Sequence, residues 1–535
     1  MSKEKNIIGT SPMTYVGIGD GVKEVAPSNN VTIDPVTKAF HNYFQDQSRK
    51  QKIKVQNCTN IRIQETLFGA IFQENAVFVE ADTDSAGIFP RRLSMRRGTI
   101  FLAAVKVHQR ENTATCAYLY AQSNEEVHNC ILRLGSFNKL VPYSKTAARL
   151  ELLLSTAAKC NLNERPYHVH ILNAQDFCTI EENGNVGCGF IPRNMIERFL
   201  GKYAVGQRTF ALQVRIQIPS MGTFKGVLME KPGIDKIELP PSMKKVGASS
   251  SLAAREDNSA WLMINKSGIF PYLNRIRQQE DQFYEDMEIP EQARWMLTQK
   301  GVSHSYLSEK NRHHSNLIGV ADPTNGGLPP GSVFLTGFHH IKSVCGNEVI
   351  ISRFPMTEAS DGVKLPVVRE KPISMSEKGW DFLCQKPFGV VIFGNPASGQ
   401  RALPEHIAQG DLDGDGYFVC WDPIIVKDAL IGDRPVFSTK KAPSSRAFAS
   451  SSSTNWWDET QQYLMDQGGR NQRNQLVGVL CNLWKSRLKT NLQQEALSYG
   501  RAYKEAIDVK KHGGKVDLPT ELWKDVPSNL HRYLR

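Results

Sequence analysis

Gly410-Asp411-Leu412-Asp413-Gly414-Asp415-Gly416-Tyr417-Phe418-Val419-Cys420-Trp421-Asp422 is the stretch that decides how this chain reads. Three carboxylates at alternate positions, with glycine at 414 and 416, can converge their oxygens on one hard cation of the Mg²⁺ or Ca²⁺ type. Asp411, Asp413, Asp415, Gly416 and Asp422 also fall on positions 1, 3, 5, 6 and 12 of a calcium-loop template. Such a loop normally lies between two helices and closes with a bidentate Glu. Here position 12 is Asp422, and the following Pro423 disfavours helical geometry at it. Tyr417 to Trp421 is aromatic and β-branched and reads as a buried strand. Val390-Val391-Ile392-Phe393 is strand-like too, and Gly394, Asn395, Pro396 and Gly399 mark loop between the two. A carboxylate turn feeding a strand suits a catalytic metal site better than a calcium clip.

The rest of the composition sets the frame. A chain of 535 residues exceeds one ordinary core, so roughly two to four domains are expected. Net charge is +11, from 65 basic and 54 acidic residues, which favours a polyanionic partner, most simply nucleic acid. The 10 cysteines are scattered without a CxxC pair, which argues against a structural zinc site. No apolar leader and no membrane-length apolar run is seen, so the expectation is an intracellular protein, cytoplasmic or nuclear, with free thiols and no membrane partner.

Along the chain, residues 1–50 are polar and expected to be partly disordered. Residues 51–164 alternate short apolar runs with turns, Thr99 to Val105 being the clearest strand, and then turn helical around 144–160. Strands are expected again over 165–250, a helical connector over 251–315, and a second β section over 316–425. The remainder, 426–535, reads as helical and basic, with a serine-rich loop at 443–455. No short-period repeat appears.

Read together, the motifs resemble those of the cellular, RNA-silencing-type RNA-dependent RNA polymerases. Asp411-Leu412-Asp413-Gly414-Asp415 with the following strand resembles that family's signature. Pro241-Ser242-Met243-Lys244-Lys245 resembles its R-P-S-M-x-K segment, and Thr223-Phe224-Lys225-Gly226-Val227 its G-x-K-G-V strand. Tyr272-Leu273-Asn274-Arg275 is similar to its L-N-R helix start, and Gly319 through Thr324 to its G-x-x-D-x-T turn. Ile351-Ser352-Arg353-Phe354-Pro355 with Asp361 resembles its R-N-P-x-x-x-x-x-D element, and the tail from Ala506 to Pro519 continues the likeness. The chain departs from the pattern in three places: Val186 stands for an Asp, Phe354 for an Asn, and Gln409-Gly410 where a small residue such as Ser is common.

The resemblance implies an α+β fold in which two double-psi β-barrels face each other across the active site, as in multisubunit DNA-dependent RNA polymerases. The first barrel would lie over 165–250 and bear lysines, and the second over 316–425 and bear the aspartates. It implies a nucleotidyltransferase that copies a single-stranded RNA template into nascent RNA from NTPs, with Mg²⁺ (or Mn²⁺) as cofactor. Asp411, Asp413 and Asp415 would hold the metal, Gly414 letting the backbone curl so that all three face inward. Lys225 and Lys244 would neutralise nucleotide phosphates. Arg353 aligns with an arginine that related polymerases place near the incoming ribose.

Other features read less sharply. Arg91-Arg92 with Arg96-Arg97, and Lys510-Lys511 with Lys515, are either channel contacts or solvated faces. Trp456-Trp457 could stack on bases or pack between helices. His313-His314 and His339-His340 lack ligand spacing and are taken as structural. Two alternatives stay open: a single-chain DNA-dependent RNA polymerase of the same two-barrel type, and a non-catalytic, calcium-stabilised nucleic-acid-binding scaffold.

Overall fold

The computed structural model describes residues 53–57, 66–82, 89–95, 98–108, 113–140, 142–155, 158–161, 169–171, 187–200, 209–218, 220–249, 261–270, 289–303, 306–307, 313–338, 347–397, 400–430, 455–490, 492–512 and 514–535. The segment 1–50, Val186, Tyr272 to Arg275, His339-His340 and the serine run up to 454 lie outside them.

The N-terminal unit is an antiparallel sheet of β1 (Ile53–Asn57), β2 (Ala76–Asp82), β3 (Arg92–Met95), β4 (Gly98–His108) and β5 (Thr113–Ala121), in the order β1-β2-β5-β4-β3. The Thr99–Val105 run lies inside β4, and Ile100 to Val105 are buried. Three helices accompany the sheet: α1 (Leu67–Phe72), α2 (Asn124–Leu134) and α3 (Tyr143–Glu151). Helix α2 starts where the Ser123 side chain accepts from the Glu126 N–H, with Glu125 and Glu126 in the first turn. It buries Val127, Ile131 and Leu134, one stripe at helical spacing.

An eight-stranded sheet follows: β6 (Ala158–Asn161), β7 (Val169–Ile171), β8 (Cys188–Ile191), β9 (Ala211–Ile218), β10 (Gly222–Glu230), β11 (Ile237–Leu239), β12 (Lys244–Val246) and β13 (Trp261–Phe270). The order is β6-β13-β9-β10-β8-β11-β7, with β12 on β10. This sheet overruns the 165–250 section at both ends. In particular Trp261–Phe270, inside the expected helical connector, is a strand paired to β9. An apolar run of that length does not by itself distinguish strand from helix, and the β9 edge decides it. Helix α4 (Arg193–Leu200) packs on this sheet, and the connector's described helix is α5 (Glu291–Gln299).

Strand alternation gives β9 and β10 two different faces. Leu212, Val214, Ile216, Phe224 and Leu228 fill the sheet's own core. Ala211, Val227 and Met229 point the other way, into a cluster shared with Leu317, Val320, Val390 and Tyr417 of the next unit. Gln213, Arg215 and Lys225 lie on this second face, so the period-2 pattern aims polar side chains at the neighbouring barrel.

That unit contains β14 (His314–Ala321), β15 (Val333–Leu335), β16 (Glu348–Arg353), β17 (Gly362–Pro366), β18 (Val390–Phe393) and β19 (Gly416–Cys420), in the order β15-β18-β14-β19-β16-β17. It repeats the pairing logic of the first: β14 is antiparallel to β19 and parallel to β18, as β10 is antiparallel to β9 and parallel to β8. Its helices are α6 (Glu377–Cys384) and α7 (Pro423–Asp428). A buried ion pair joins the two units, Lys386 Nζ lying 2.9 Å from Glu230 Oε2.

The chain closes with α8 (Trp456–Met465), α9 (Gln467–Lys489) and α10 (Gln493–His512). Trp456 and Trp457 are buried in the N-terminal core, where their indole N–H groups donate to His128 Nε2 at 3.0 Å and to Asn124 Oδ1 at 3.1 Å. They pack helices and are not a stacking platform. Arg91 is likewise engaged, by Asp458 and Gln461 of α8, and is no open channel cation. The described Cys116, Cys130, Cys188, Cys384, Cys420 and Cys481 are free thiols. Among the described residues no helix is long and apolar enough to cross a membrane.

Candidate active site

The aspartate loop is held from below. Leu412 is fully buried in the shared core, contributing roughly 1.5–3 kcal/mol, and its neighbours Asp411 and Asp413 are thereby turned outward. The Tyr417 hydroxyl donates to the Asp411 carbonyl at 2.8 Å. Within the loop the Asp411 N–H donates to Asp415 Oδ2 at 3.1 Å, and the Asp413 N–H to Asp411 Oδ1 at 3.2 Å. Gly414 has φ +120°, and a Cβ there would overlap the Gln213 amide. The result brings one oxygen from each of Asp411, Asp413 and Asp415 within 4.8 Å of one another.

Electrostatics differ across the three. Burial, followed by the charges of Asp413 and Asp415, pushes the Asp411 carboxyl up to about 7. Burial acts on Asp413 in the same sense, but Lys225 and Lys245 outweigh it and hold that carboxyl below its ordinary value. Asp415 is paired with Arg353, whose Nε lies 2.5 Å from its Oδ2. Three crowded carboxylates, hard oxygen donors with one of them forced toward protonation, are a donor set that fits a divalent metal ion.

The opposite wall comes from the first barrel. Lys225 Nζ donates to both Asp413 oxygens at 2.9 Å. The Gln213 amide donates to the Asp413 carbonyl at 3.2 Å. Gly187 (φ +87°) lies against the same residue, where a Cβ would come within 2.6 Å of Asp413 Cβ.

The expected second lysine is displaced by one residue. Lys244 is exposed, paired across the sheet with Phe224, its Nζ 5.8 Å from that ring. Lys245 reaches Asp413 instead, at 3.5 Å, and burial lowers its pKa against the opposing pull of Asp413 and Asp411. The reason is a shift in the β10–β12 register between Thr223 and Phe224, which leaves Lys245 without an opposing residue. Such a bulge re-aims a side chain. The R-P-S-M-x-K pattern held the clue, because its lysine falls on 245.

Arg353, expected beside a ribose, is drawn onto the loop: besides Asp415 it donates from Nη1 to the Ala408 carbonyl at 3.3 Å. Asp422 takes no part. Its carboxylate caps α7, accepting from the Ile424 and Ile425 N–H groups at 3.1 Å, and also accepts from the Tyr306 hydroxyl. A helix therefore does follow, with Pro423 at its first position, while Asp422 itself stays extended as the proline requires. The twelve-residue calcium loop is thus not formed. Sequence reasoning missed Lys245 and Gln213, and also Arg149 and Arg215, on which the charge of Asp413 acts.

Comparison with known proteins identifies the family. A model of the family described as RNA dependent RNA polymerase matches residues 35–289 and 313–533. Two curated relatives from Arabidopsis thaliana are Probable RNA-dependent RNA polymerase 3, 24% identical over 230 residues, and Probable RNA-dependent RNA polymerase 5, 26% identical over 225 residues. These alignments take in 40% and 39% of this chain and 22% of each relative, so the chain spans about a fifth of the relatives' length. Among solved structures, RNA dependent RNA polymerase QDE-1 from Thielavia terrestris superposes with a TM-score of 0.55 at 15% identity, covering 87% of this chain and 62% of that one. That likeness shows a shared fold, the two-barrel arrangement. Because that family model matches most of this 535-residue chain, the chain belongs to the RNA-dependent RNA polymerase family.

Proposed function

We propose that the chain carries the catalytic core of an RNA-directed RNA polymerase of the silencing type, joining NTPs into RNA complementary to a single-stranded RNA template. The observation that supports this most directly is the meeting of Asp411, Asp413 and Asp415 with Lys225 and Lys245 across two barrels. For this purpose the chain divides into an N-terminal α/β unit, a lysine-bearing barrel, an aspartate-bearing barrel and a helical C-terminal part.

Asp411, Asp413 and Asp415 would hold Mg²⁺, with Mn²⁺ as a substitute. An ion held by these three carboxylates would supply Lewis-acid chemistry, lowering the pKa of a 3′-hydroxyl and screening phosphoryl oxygens. Lys225 and Lys245 leave Asp413 for the nucleotide phosphates, where they offset charge developing on the pyrophosphate. Arg353 acts as a positioning residue, fixing Asp415 through a charge-assisted hydrogen bond.

The test is incorporation of labelled NTPs with Mg²⁺ on matched single-stranded RNA and DNA templates, Asp413→Ala run beside the wild type. RNA-templated product that vanishes in the variant supports the reading. Product on DNA alone would move the protein to the transcription side of the two-barrel enzymes. Folded protein inactive on both would overturn it in favour of a scaffold.

A further inference from the structure

Arg353 ends β16, and the loop that follows it is held by elements outside the two barrels. The chain returns as β17 only after residues 354–361, the last cross-strand pair being Ser352 with Gly362. That is longer than the roughly two to five residues of an ordinary hairpin loop, so its shape needs support. Asp361 supplies the base of it. Its carboxylate accepts from the Thr357 and Glu358 N–H groups at 2.8 and 2.9 Å, and its carbonyl accepts from the Ser352 hydroxyl at 2.7 Å. Asp361 is buried, and a buried charge needs a partner. The partner is Lys504 of α10, 143 positions away, whose ammonium donates to Asp361 Oδ1. Three residues earlier on the same helix face, Arg501 meets Glu358 at 3.1 Å. Gly500 lets the helix come this close, since a Cβ there would fall 2.8 Å from Thr357 Cβ. Helix α5 ties the same loop: Gln292 Oε1 accepts from the Met356 N–H at 3.1 Å, and the Trp295 N–H donates to the Thr357 carbonyl at 3.3 Å. Among the described residues Lys504 pairs with Asp361 and Glu358 and with none of the three site aspartates.

We propose that Lys504 is a positioning residue for nucleotide addition: by neutralising Asp361 it fixes the loop that leaves Arg353, and so holds the Arg353 guanidinium against Asp415. This rests on the polymerase reading. Arg353 Nε lies 2.5 Å from Asp415 Oδ2, and its Nη1 donates to the Ala408 carbonyl at 3.3 Å. A charge-assisted contact that orients a metal-binding carboxylate tolerates little displacement. Strand β19 pins Arg353 on one side, through its pairing with Tyr417, but pairing with β17 stops one residue short, at Ser352. The side left open is the one that the Asp361 clamp secures. Without Lys504, Asp361 keeps only the more distant charge of Lys300 and must take up water or a proton, which loosens its hold on the two N–H groups. A C-terminal helix thereby sets the geometry of an aspartate that it does not touch.

The experiment uses the full 535-residue chain, with Mn²⁺ binding followed by electron paramagnetic resonance beside steady-state incorporation kinetics, all at a temperature where every variant is folded. Asp413→Ala serves as the blank for Mn²⁺ bound elsewhere. Lys504→Met should weaken Mn²⁺ binding about fivefold and lower kcat about tenfold, with nucleotide KM within about twofold, the lower end of what a supporting residue behind a metal ligand costs. Lys504→Arg should restore most of both. In a double-mutant cycle, Lys504→Met added to Arg353→Lys should lower kcat by no more than about a further twofold, because the two residues act in series. Should Lys504→Met fail to fold, Lys504→Gln, which keeps a donor for Asp361 without the charge, carries the same comparison. Full additivity in the cycle would overturn the proposal, and so would Mn²⁺ affinity equal to wild type in folded Lys504→Met. A loss of kcat that disappears on cooling, in step with melting temperature, would overturn it too, leaving Lys504 a stabilising residue only. Lys504-dependent Mn²⁺ binding in a chain that makes no RNA would sustain the positioning role while the polymerase reading fell.

Discussion

Lys225 and Asp413 stand 188 positions apart in the chain, yet the lysine Nζ lies 2.9 Å from both oxygens of the carboxylate. The pair spans the two barrels and puts a cation where a metal ion would bind. On the proposed reading, a metal ion held by Asp413 would free Lys225 for a nucleotide.

Asp413→Ala tests the centre of that exchange. It should lower nucleotide incorporation by at least about a thousandfold, the scale of losing a directly acting charged group. Circular dichroism and RNA affinity should remain near wild type, since the loop is anchored by Leu412 and Tyr417. Loss of folding in parallel would point to a structural metal.

The lysine assignment can be checked by a neighbouring pair. Lys245→Ala should reduce kcat/KM for nucleotide by about tenfold to a hundredfold, while Lys244→Ala should stay within about twofold. Equal effects would mean that the bulge does not select between them.

Asp411 links stability to pH and metal. Its folded pKa of about 7 lies above the ordinary 3.8, so its stabilising contribution is full below 3.8 and is lost as pH rises through about 7. Metal-free protein should therefore melt lower at pH 8 than at pH 6 through this group. A divalent ion binds the deprotonated form, so Mg²⁺ should raise the melting temperature more at pH 8 than at pH 6. Asp411→Asn should flatten that difference; a difference just as large in the variant would remove Asp411 from the metal site.

The inter-barrel ion pair should matter for stability. Glu230 and Lys386 are each 8% exposed at the side chain, and Arg193 Nη1 adds a contact to Glu230 at 3.4 Å. Glu230→Gln leaves the buried Lys386 without its charged partner, Arg193 keeping its ion pair with Glu197 at 2.8 Å, and should cost about 3–5 kcal/mol in denaturant unfolding. Lys386→Met, which leaves Glu230 with Arg193, should cost less. The reverse order would show that Arg193 does not support Glu230.

Much of the centre was legible locally. Three aspartates alternating around Leu412 and Gly414, then an aromatic and β-branched strand, specify a turn that gathers carboxylates, because turn chemistry and strand preference act over a few residues. The family motifs around Lys225 and Arg353 were legible in the same way. The cations beyond Lys225 and Arg353 were not. Whether Lys244 or Lys245 reaches Asp413 depends on a register shift against β10, and a strand of three residues carries too little pattern to reveal it. The strand character of Trp261–Phe270 was decided by the β9 edge it pairs with. Arg353 was readable as a site residue, but its partner, Asp415, emerged only when β16 and β19 were laid side by side. Arg149 and Arg215 carry no local mark at all, since what sets them apart, a buried Nε without a hydrogen-bond partner among the described residues, is a property of the packed molecule. The sequence by itself thus determined which residues form the acidic turn and which family the chain joins. Only the tertiary structure decided which positive charges face that turn, because charge pairing is settled by distance in space and not by separation along the chain.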